Sequence, residues 1–200
     1  MHDAENNYTE TRDAIRDLMK QFPAEYFRKV DEERGYPEQF VNALTEAGWL
    51  AALIPTEYGG SGLSLTEATV IMEEINRNGG NSGACHGQMY NMGTLLRHGS
   101  DKQKELYLPK IATGELRLQS MAVTEPTTGT DTTKIKTTAV KKDGRYVVNG
   151  QKVWISRVQH SDLMILLART TPLEEVQKKA DGMSIFIVDI VDAMKNGMAV

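Results

Sequence analysis

The spacing of apolar residues changes from a helical to a strand-like period near residue 119. Before this point apolar side chains recur about every three to four residues, and after it short apolar runs are separated by polar turns. A helical block followed by a block of strands predicts an α+β fold. We therefore expect an all-helical N-terminal domain at residues 1–118 and a β-domain at residues 119–200.

The helical block also carries start and stop signals. Ser64 with Glu67, and Ser100 with Gln103, have the spacing of capping boxes and predict two helix starts. Two apolar stripes predict further helices, one formed by Ile15, Leu18, Met19 and Phe22, and one, after Pro37 and before a capping Gly48, formed by Phe40, Val41, Leu44 and Ala47. A third stripe of core type is formed by Met89, Met92, Leu95 and Leu96.

Turn signals divide the second block into strands. Asp143-Gly144 and Asn149-Gly150 predict two β-hairpins. The apolar runs "DLMILLART" and "MSIFIVDI" read as core strands, so we expect an antiparallel, barrel-like or sandwich β-domain. A last turn at Asn196-Gly197 predicts the start of one more strand, which indicates a fragment of a longer protein.

Composition excludes several classes of function. Charged residues make up 25% of the chain and the net charge is −4, without the clustered Lys and Arg of a nucleic-acid-binding surface. Cys85 is the single cysteine, so an internal disulfide is impossible and a small buried thiol is expected. The four histidines are too far apart for an H-x-x-x-H pair, which argues against a metal site: His2, His86, His98 and His160.

The sequence also predicts a cytoplasmic protein. No apolar run approaches the ~18 residues that a membrane span needs. The N-terminal stretch "MHDAENNYTETRD" is acidic and has no apolar core of a secretory signal. Its glycosylation triplet "NYT" therefore predicts no modification.

The junction of the two blocks is rich in hydroxyl groups. "VTEPTTGTD" at residues 123–131 is followed downstream by "KVWIS", which ends at Ser156. A flavin needs hydrogen-bonding groups at its pyrimidine edge, an aromatic wall and a donor near N5. Val123, Thr124, Trp154 and Ser156 supply these if the segments converge, with Trp154 and Ser156 on one strand face. A solvated loop with a core tryptophan is the alternative.

Several stretches resemble the acyl-CoA dehydrogenase family. "AVTEPTTGTD" with "GRYVVNGQKVWIS" is similar to its middle β-domain. "PTEYGGSGLSLTEATVIMEEINR" and "HGSDKQKELYLPKIATGE" are similar to its N-terminal helices. The resemblance covers nearly the whole chain in the same order, and it implies an oxidoreductase of fatty acid metabolism. It also implies a C-terminal helical domain that is absent from this chain.

The resemblance implies roles for individual residues. FAD would be the cofactor, and it would contact Met121, Val123, Thr124, Trp154 and Ser156. Gly129 and Thr130 would line the path of the acyl-thioester and pantetheine. The family lifts the α-proton of an acyl-CoA with a carboxylate of the C-terminal domain while the β-hydride moves to flavin N5. No catalytic residue is thus expected in this fragment, which alone would be inactive, and Glu125 is interpreted as structural.

The resemblance also implies partners, and it leaves the exact activity open. It implies an electron-transfer flavoprotein as partner and a homotetramer or homodimer. An acyl-CoA oxidase or flavin monooxygenase on the same fold, and a non-catalytic acyl-CoA or flavin-binding module, are alternatives that the residues do not separate. Departures from the family pattern occur at Thr128, Lys134 and Arg157 and concern loop shape and substrate preference.

Overall fold

The computed structural model describes residues 8–200, so the predictions for His2 and for the acidic start of the chain lie outside the described residues. The chain divides into two compact units, with the division between Arg117 and Leu118. The predicted order, a helical domain followed by a β-domain, is confirmed.

Six α-helices form the first unit between residues 8 and 117. Capping boxes open two of them as predicted: the Ser64 side chain accepts the Glu67 amide, and the Ser100 side chain accepts the Gln103 amide. Short 3₁₀ turns at Trp49–Ala51 and Thr56–Tyr58 lead into the first of these two helices. The helices are α1 Thr9–Met19, α2 Ala24–Glu32, α3 Glu38–Glu46, α4 Leu65–Arg77, α5 Gly83–His98 and α6 Asp101–Thr113.

The predicted apolar stripes form the core of the helical unit. They are buried at Ile15, Leu18, Met19, Phe22, Phe40, Val41, Leu44, Met89, Met92 and Leu95. Ala47 is exposed because α3 ends at Glu46, so that prediction is wrong at its last position. Leu96 is half-buried. The burial of whole stripes, more than helix propensity, holds these short helices together.

A buried ion-pair network joins α1 to α4. The Glu74 carboxylate is fully buried and accepts Arg12 at 2.7 Å and Arg16 at 2.9 Å. Burial by itself raises the pKa of Glu74, but the hydrogen bonds from Arg16 and Arg12 outweigh it and lower that pKa. The first helix is thus fixed by charge as well as by apolar contact.

Five strands and a short helix form the second unit. The strands Leu163–Arg169 and Met183–Asp189 correspond to the two predicted apolar runs. The elements are β1 Leu118–Ala122, β2 Thr138–Lys142, β3 Arg145–Asn149, β4 Leu163–Arg169, β5 Met183–Asp189 and α7 Ile190–Lys195.

The sheet is mixed, which corrects the expected antiparallel arrangement. β4 pairs in parallel with β1 and antiparallel with β5 along its other edge. The β2–β3 hairpin is antiparallel and meets β4 in parallel where Thr138 pairs with Arg169. Turn signals report only on strands adjacent in sequence, whereas the β1–β4 pair requires a long crossover. Since the sheet is not closed, "barrel-like" and "sandwich" describe it only loosely.

Only the first of the predicted Asx-Gly turns forms a hairpin. Asp143 and Gly144 have φ angles of 50° and 77°, the positive values of a type I′ turn. Asn149 and Gly150 have no positive φ, and no strand follows them before β4. Gly150 instead lies against Thr137, where an added Cβ would be 2.3 Å from the Thr137 hydroxyl. The expected strand start at Asn196-Gly197 is also wrong for the residues given, because α7 precedes that turn and residues 198–200 are not in a strand.

Candidate functional site

Two chain segments run antiparallel at the end of β1 and just beyond it. The Val153 amide donates to the Thr124 carbonyl oxygen at 3.0 Å, and the Ser120 hydroxyl lies 3.3 Å from the Ser156 carbonyl oxygen. These two contacts place residues 120–124 beside residues 153–156. The structure therefore brings together the two groups of residues predicted for the flavin edge, of which Met121, Val123 and Thr124 are half-buried and Trp154 and Ser156 are exposed.

A chain of serine hydroxyls that the sequence reasoning missed fixes this arrangement. Ser120 Oγ lies 2.8 Å from Ser161 Oγ, and the Ser161 hydroxyl donates to the Arg157 carbonyl oxygen at 2.9 Å. Arg157 has a φ of 60°, so the chain turns sharply directly after Ser156. The sequence signal available was a serine within β1 and another just before β4, but serine is too common to single them out.

The backbone at Trp154 differs from the prediction. Residues 151–155 form no strand and Trp154 has a φ of 61°, so Trp154 and Ser156 do not share the face of a strand. A bulky residue in this left-handed region costs about 1–2 kcal/mol. The indole is 89% exposed, so burial does not repay that cost. A strained and exposed aromatic side chain is typical of a ligand-contacting position.

Glu125 lies behind this segment, and both of its carboxylate oxygens accept hydrogen bonds. Its side chain is 5% exposed and accepts the Lys136 amide at 2.6 Å and the Thr137 amide at 2.9 Å. Lys152 donates to the same carboxylate at 2.9 Å and to the Val123 carbonyl oxygen at 2.9 Å.

The environment of Glu125 makes it a poor proton acceptor. Burial raises the pKa of this carboxyl, but hydrogen bonds from Thr137, the Lys136 amide and Lys152 outweigh it and lower the pKa to about 2. A general base works best with a pKa near the operating pH. The interpretation of Glu125 as a structural residue agrees with this geometry.

The threonine-rich stretch forms an ordered loop. Glu125 and Thr128 exchange two backbone hydrogen bonds at 2.9 and 3.1 Å, which closes a tight turn. The Thr128 hydroxyl donates to the Asp131 carbonyl oxygen, and the Asp131 carboxylate accepts the Thr133 amide at 3.2 Å. Some of the hydroxyls therefore order the loop itself.

The crest of this loop carries the two residues predicted to line the substrate path. Gly129 and Thr130 are both exposed. A Cβ added at Gly129 would lie 3.8 Å from the Thr124 methyl, so the crest passes close to the half-buried Thr124. The predicted substrate-lining residues thus lie beside the predicted cofactor-binding ones.

Other candidate chemistry is limited. Burial raises the pKa of the Cys85 thiol to about 12, in keeping with a small buried core thiol. Within residues 8–200, no three His, Cys, Asp or Glu side chains lie close enough to hold a metal ion. None of the helices in the described part of the chain combines the length and apolarity that crossing a membrane requires.

Two family models together match most of the chain. The model described as "Acyl-CoA dehydrogenase, N-terminal domain" matches residues 5–115. The model described as "Acyl-CoA dehydrogenase, middle domain" matches residues 120–200.

Individual proteins show the same similarity. The mitochondrial isovaleryl-CoA dehydrogenase of Pongo abelii is 35% identical over 176 residues, which are 84% of this chain and 41% of that protein. The crystal structure of an acyl-CoA dehydrogenase from Geobacillus kaustophilus superposes with a TM-score of 0.82 at 30% identity, over 90% of this chain and 48% of that one. A glutaryl-coenzyme A dehydrogenase in complex with glutaryl-CoA superposes with a TM-score of 0.79 at 27% identity, over 90% and 46%. The chain thus spans about half the length of the relatives it matches.

Proposed function

The chain belongs to the acyl-CoA dehydrogenase family, and we propose that it carries the flavin edge and the thioester-lining loop of an FAD-dependent acyl-CoA dehydrogenase. The reaction is the α,β-dehydrogenation of an acyl-CoA thioester, in which one proton leaves the α-carbon and one hydride leaves the β-carbon. Bound FAD supplies the acceptor for the hydride, and an electron-transfer flavoprotein receives the electrons.

The observation that carries this proposal is the position of Trp154. Its exposed indole stands in a strained conformation at one end of a half-buried polar edge formed by Val123 and Thr124. A planar heterocycle with one polar rim fits such a surface, because the indole offers an aromatic wall and the edge offers hydroxyl and backbone groups. The residues present therefore fit a flavin ring.

The other residues of the site have separable tasks in this proposal. Val123 and Thr124, with Met121 at the start of the edge, bind the pyrimidine rim. Ser156 donates a hydrogen bond near the atom that gains electron density, which stabilises charge that develops there. The Ser120 hydroxyl contacts the Ser156 carbonyl oxygen, and the Lys152 ammonium contacts the Val123 carbonyl oxygen. These two contacts hold the two segments in register.

The thioester contacts the loop crest at Gly129 and Thr130. An acyl-thioester needs close approach to the backbone, which a glycine at the crest permits. Thr130 adds an exposed hydroxyl beside it.

The proton acceptor is a separate carboxylate in this proposal. Glu125 is committed to Lys152 and to two amides, and its pKa of about 2 makes it a weak base. The family resemblance assigns the base to a C-terminal helical domain. In this proposal the 200 residues alone bind FAD and acyl-CoA but do not catalyse the reaction.

The test is a visible spectrum of the complete protein, recorded anaerobically before and after addition of acyl-CoAs of increasing chain length. Bleaching of an oxidised-flavin band by one range of chain lengths supports the proposal and identifies the substrates. A flavin band that no acyl-CoA bleaches favours a relative with a different substrate. The absence of any flavin leaves a binding module and overturns the proposal.

A further inference from the structure

Arg169 is a buried arginine at the end of β4. Its side chain is surrounded by backbone, and the residue is 4% exposed. The hydrogen bonds that the structure describes for its guanidinium all go to carbonyl oxygens. The acceptors are Ile135 at 3.2 Å, Asp181 at 3.2 Å, Lys179 at 2.9 Å and Thr133.

A buried cation of this kind is unusual without a carboxylate partner. Removing a guanidinium from water is costly, and paired acidic groups usually offset the cost. Within residues 8–200, Arg169 forms no salt bridge with an acidic side chain. Its planar fork of five donors instead matches several carbonyl groups that converge from different segments.

The carbonyl groups come from two loops that are far apart in sequence. Residues 133–135 end the threonine-rich loop, and residues 179–181 belong to the connection between β4 and β5. The Arg169 amide also donates to the Thr137 carbonyl oxygen at 2.8 Å, directly before β2. One residue thus fixes both loops to the end of β4, a strand that has neighbours on both sides in the sheet.

A continuous set of contacts runs from Arg169 to the loop crest. Arg169 holds the Thr133 carbonyl, and Thr133 donates to Asp131. Asp131 accepts the hydroxyl of Thr128, which directly precedes Gly129. Loss of the first contact therefore releases the segment that shapes the crest.

We propose that Arg169 is a positioning residue for acyl-CoA binding, which holds the threonine-rich loop in its binding shape by tying it to residues 179–181. The role rests on the proposed function, because the loop is assigned there to the thioester. Arg169 itself is shielded from solvent and acts through Thr133 and Ile135. Through Arg169, the connection between β4 and β5 stabilises the position of the threonine-rich loop.

Four variants of the complete protein test this role. Arg169→Met removes every donor, and Arg169→Lys keeps a cation with three donors. Arg145→Met removes an exposed arginine of β3 as a charge control. Leu166→Ala opens the buried core of β4 as a control for general destabilisation.

The first readout is amide hydrogen exchange in peptides covering residues 126–137 and 176–183. In Arg169→Met we expect exchange about tenfold faster in both peptides, equivalent to about 1.4 kcal/mol of local opening. Arg169→Lys recovers part of the protection. Arg145→Met and Leu166→Ala cause no selective change in the two loops.

The second readout is steady-state kinetics. In Arg169→Met we expect KM for acyl-CoA to rise about tenfold with kcat within about twofold, because binding geometry is lost while the hydride acceptor is untouched. A merely structural role lowers the amount of active enzyme and leaves KM unchanged. Leu166→Ala shows that second pattern.

The outcomes separate the two proposals. If the wild-type protein oxidises no acyl-CoA, the proposed function fails, and the exchange data still decide whether Arg169 orders the loop. If the wild type is active but Arg169→Met leaves both peptides protected and KM unchanged, the role of Arg169 is overturned. Equal loss of protection throughout the unit in Arg169→Met and Leu166→Ala overturns it as well.

Discussion

The ammonium of Lys152 lies 2.9 Å from a carboxylate oxygen of Glu125, and both side chains are at least nine-tenths shielded from solvent. Lys152 also donates to the Val123 carbonyl, while Glu125 receives the amides of Lys136 and Thr137. The pair therefore connects the candidate flavin edge to the end of the threonine-rich loop. Its polar atoms are satisfied by several partners, which is the condition for a stable buried ion pair.

Breaking this pair on one side is expected to be severe. Glu125→Gln leaves the buried Lys152 ammonium without its counter-charge, and we expect a loss of about 3–5 kcal/mol in the free energy of unfolding. Lys152→Met should cost a similar amount, and the double variant should cost less than the two single losses added. Urea denaturation gives these values. Lys142→Met, which changes an exposed lysine, serves as the control and should stay within about 0.5 kcal/mol.

The same carboxylate predicts how stability depends on pH. The pKa of Glu125 is about 2 in the folded chain, below its ordinary value of 4.5. A carboxyl group whose pKa is lower in the folded chain than in the unfolded chain stabilises the fold. This stability is fully present above pH 4.5 and is lost as the pH falls towards 2. Glu74, Glu67 and Asp131 also have lowered pKa values and add to this trend.

The difference between wild type and Glu125→Gln isolates the part due to Glu125. Melting temperatures measured from pH 6 to pH 2 should converge for the two proteins as the pH falls through this range. A constant gap down to pH 2 contradicts the assignment.

Local signals predicted structure correctly where all the interacting groups are close in sequence. The capping boxes at Ser64 and Ser100 form because each involves groups within one helical turn. The Asp143-Gly144 hairpin forms for the same reason, since its strands are adjacent in sequence. The convergence of Thr124 and Val153 was only a condition of the flavin hypothesis, and Val153 lies in an irregular segment where a strand was expected.

Contacts between distant residues could not be predicted in this way. Glu125 and Lys152 are separated by the whole β2–β3 hairpin, and Arg169 reaches two different loops. Parallel pairing of β1 with β4 likewise has no local signal. In each case the interaction depends on where a second, distant segment lies in space. Patterns in a single sequence do not contain that information.

Gly150 gives a test of one such tertiary contact. An alanine Cβ there would lie 2.3 Å from the Thr137 hydroxyl and 2.7 Å from the Thr137 Cα, and backbone cannot move aside cheaply. Since Thr137 is buried and donates to Glu125, we expect Gly150→Ala to cost about 1–3 kcal/mol in unfolding free energy. Thermal and urea denaturation measure the effect.

A matched glycine provides the control. Gly93 lies inside α5, and a Cβ added there meets no atom within 4 Å. Gly93→Ala should therefore be neutral or stabilise the chain by up to about 1 kcal/mol. If both variants have the stability of the wild type, the close approach of Gly150 to Thr137 is wrong.

The exposed Trp154 and the neighbouring Ser156 should separate cofactor binding from catalysis. Trp154→Ala is expected to weaken FAD retention by about 0.5–1.5 kcal/mol beyond area burial, roughly two- to tenfold in affinity. It should leave the stability of the FAD-free protein within about 0.5 kcal/mol, because the indole is 89% exposed.

Ser156→Ala should retain FAD but slow flavin reduction, since its hydroxyl matters most when charge develops on the ring. Flavin content by absorbance and reduction rates by stopped flow measure the two effects. If both variants keep the wild-type flavin content and reduction rate, the placement of the flavin at this surface is wrong.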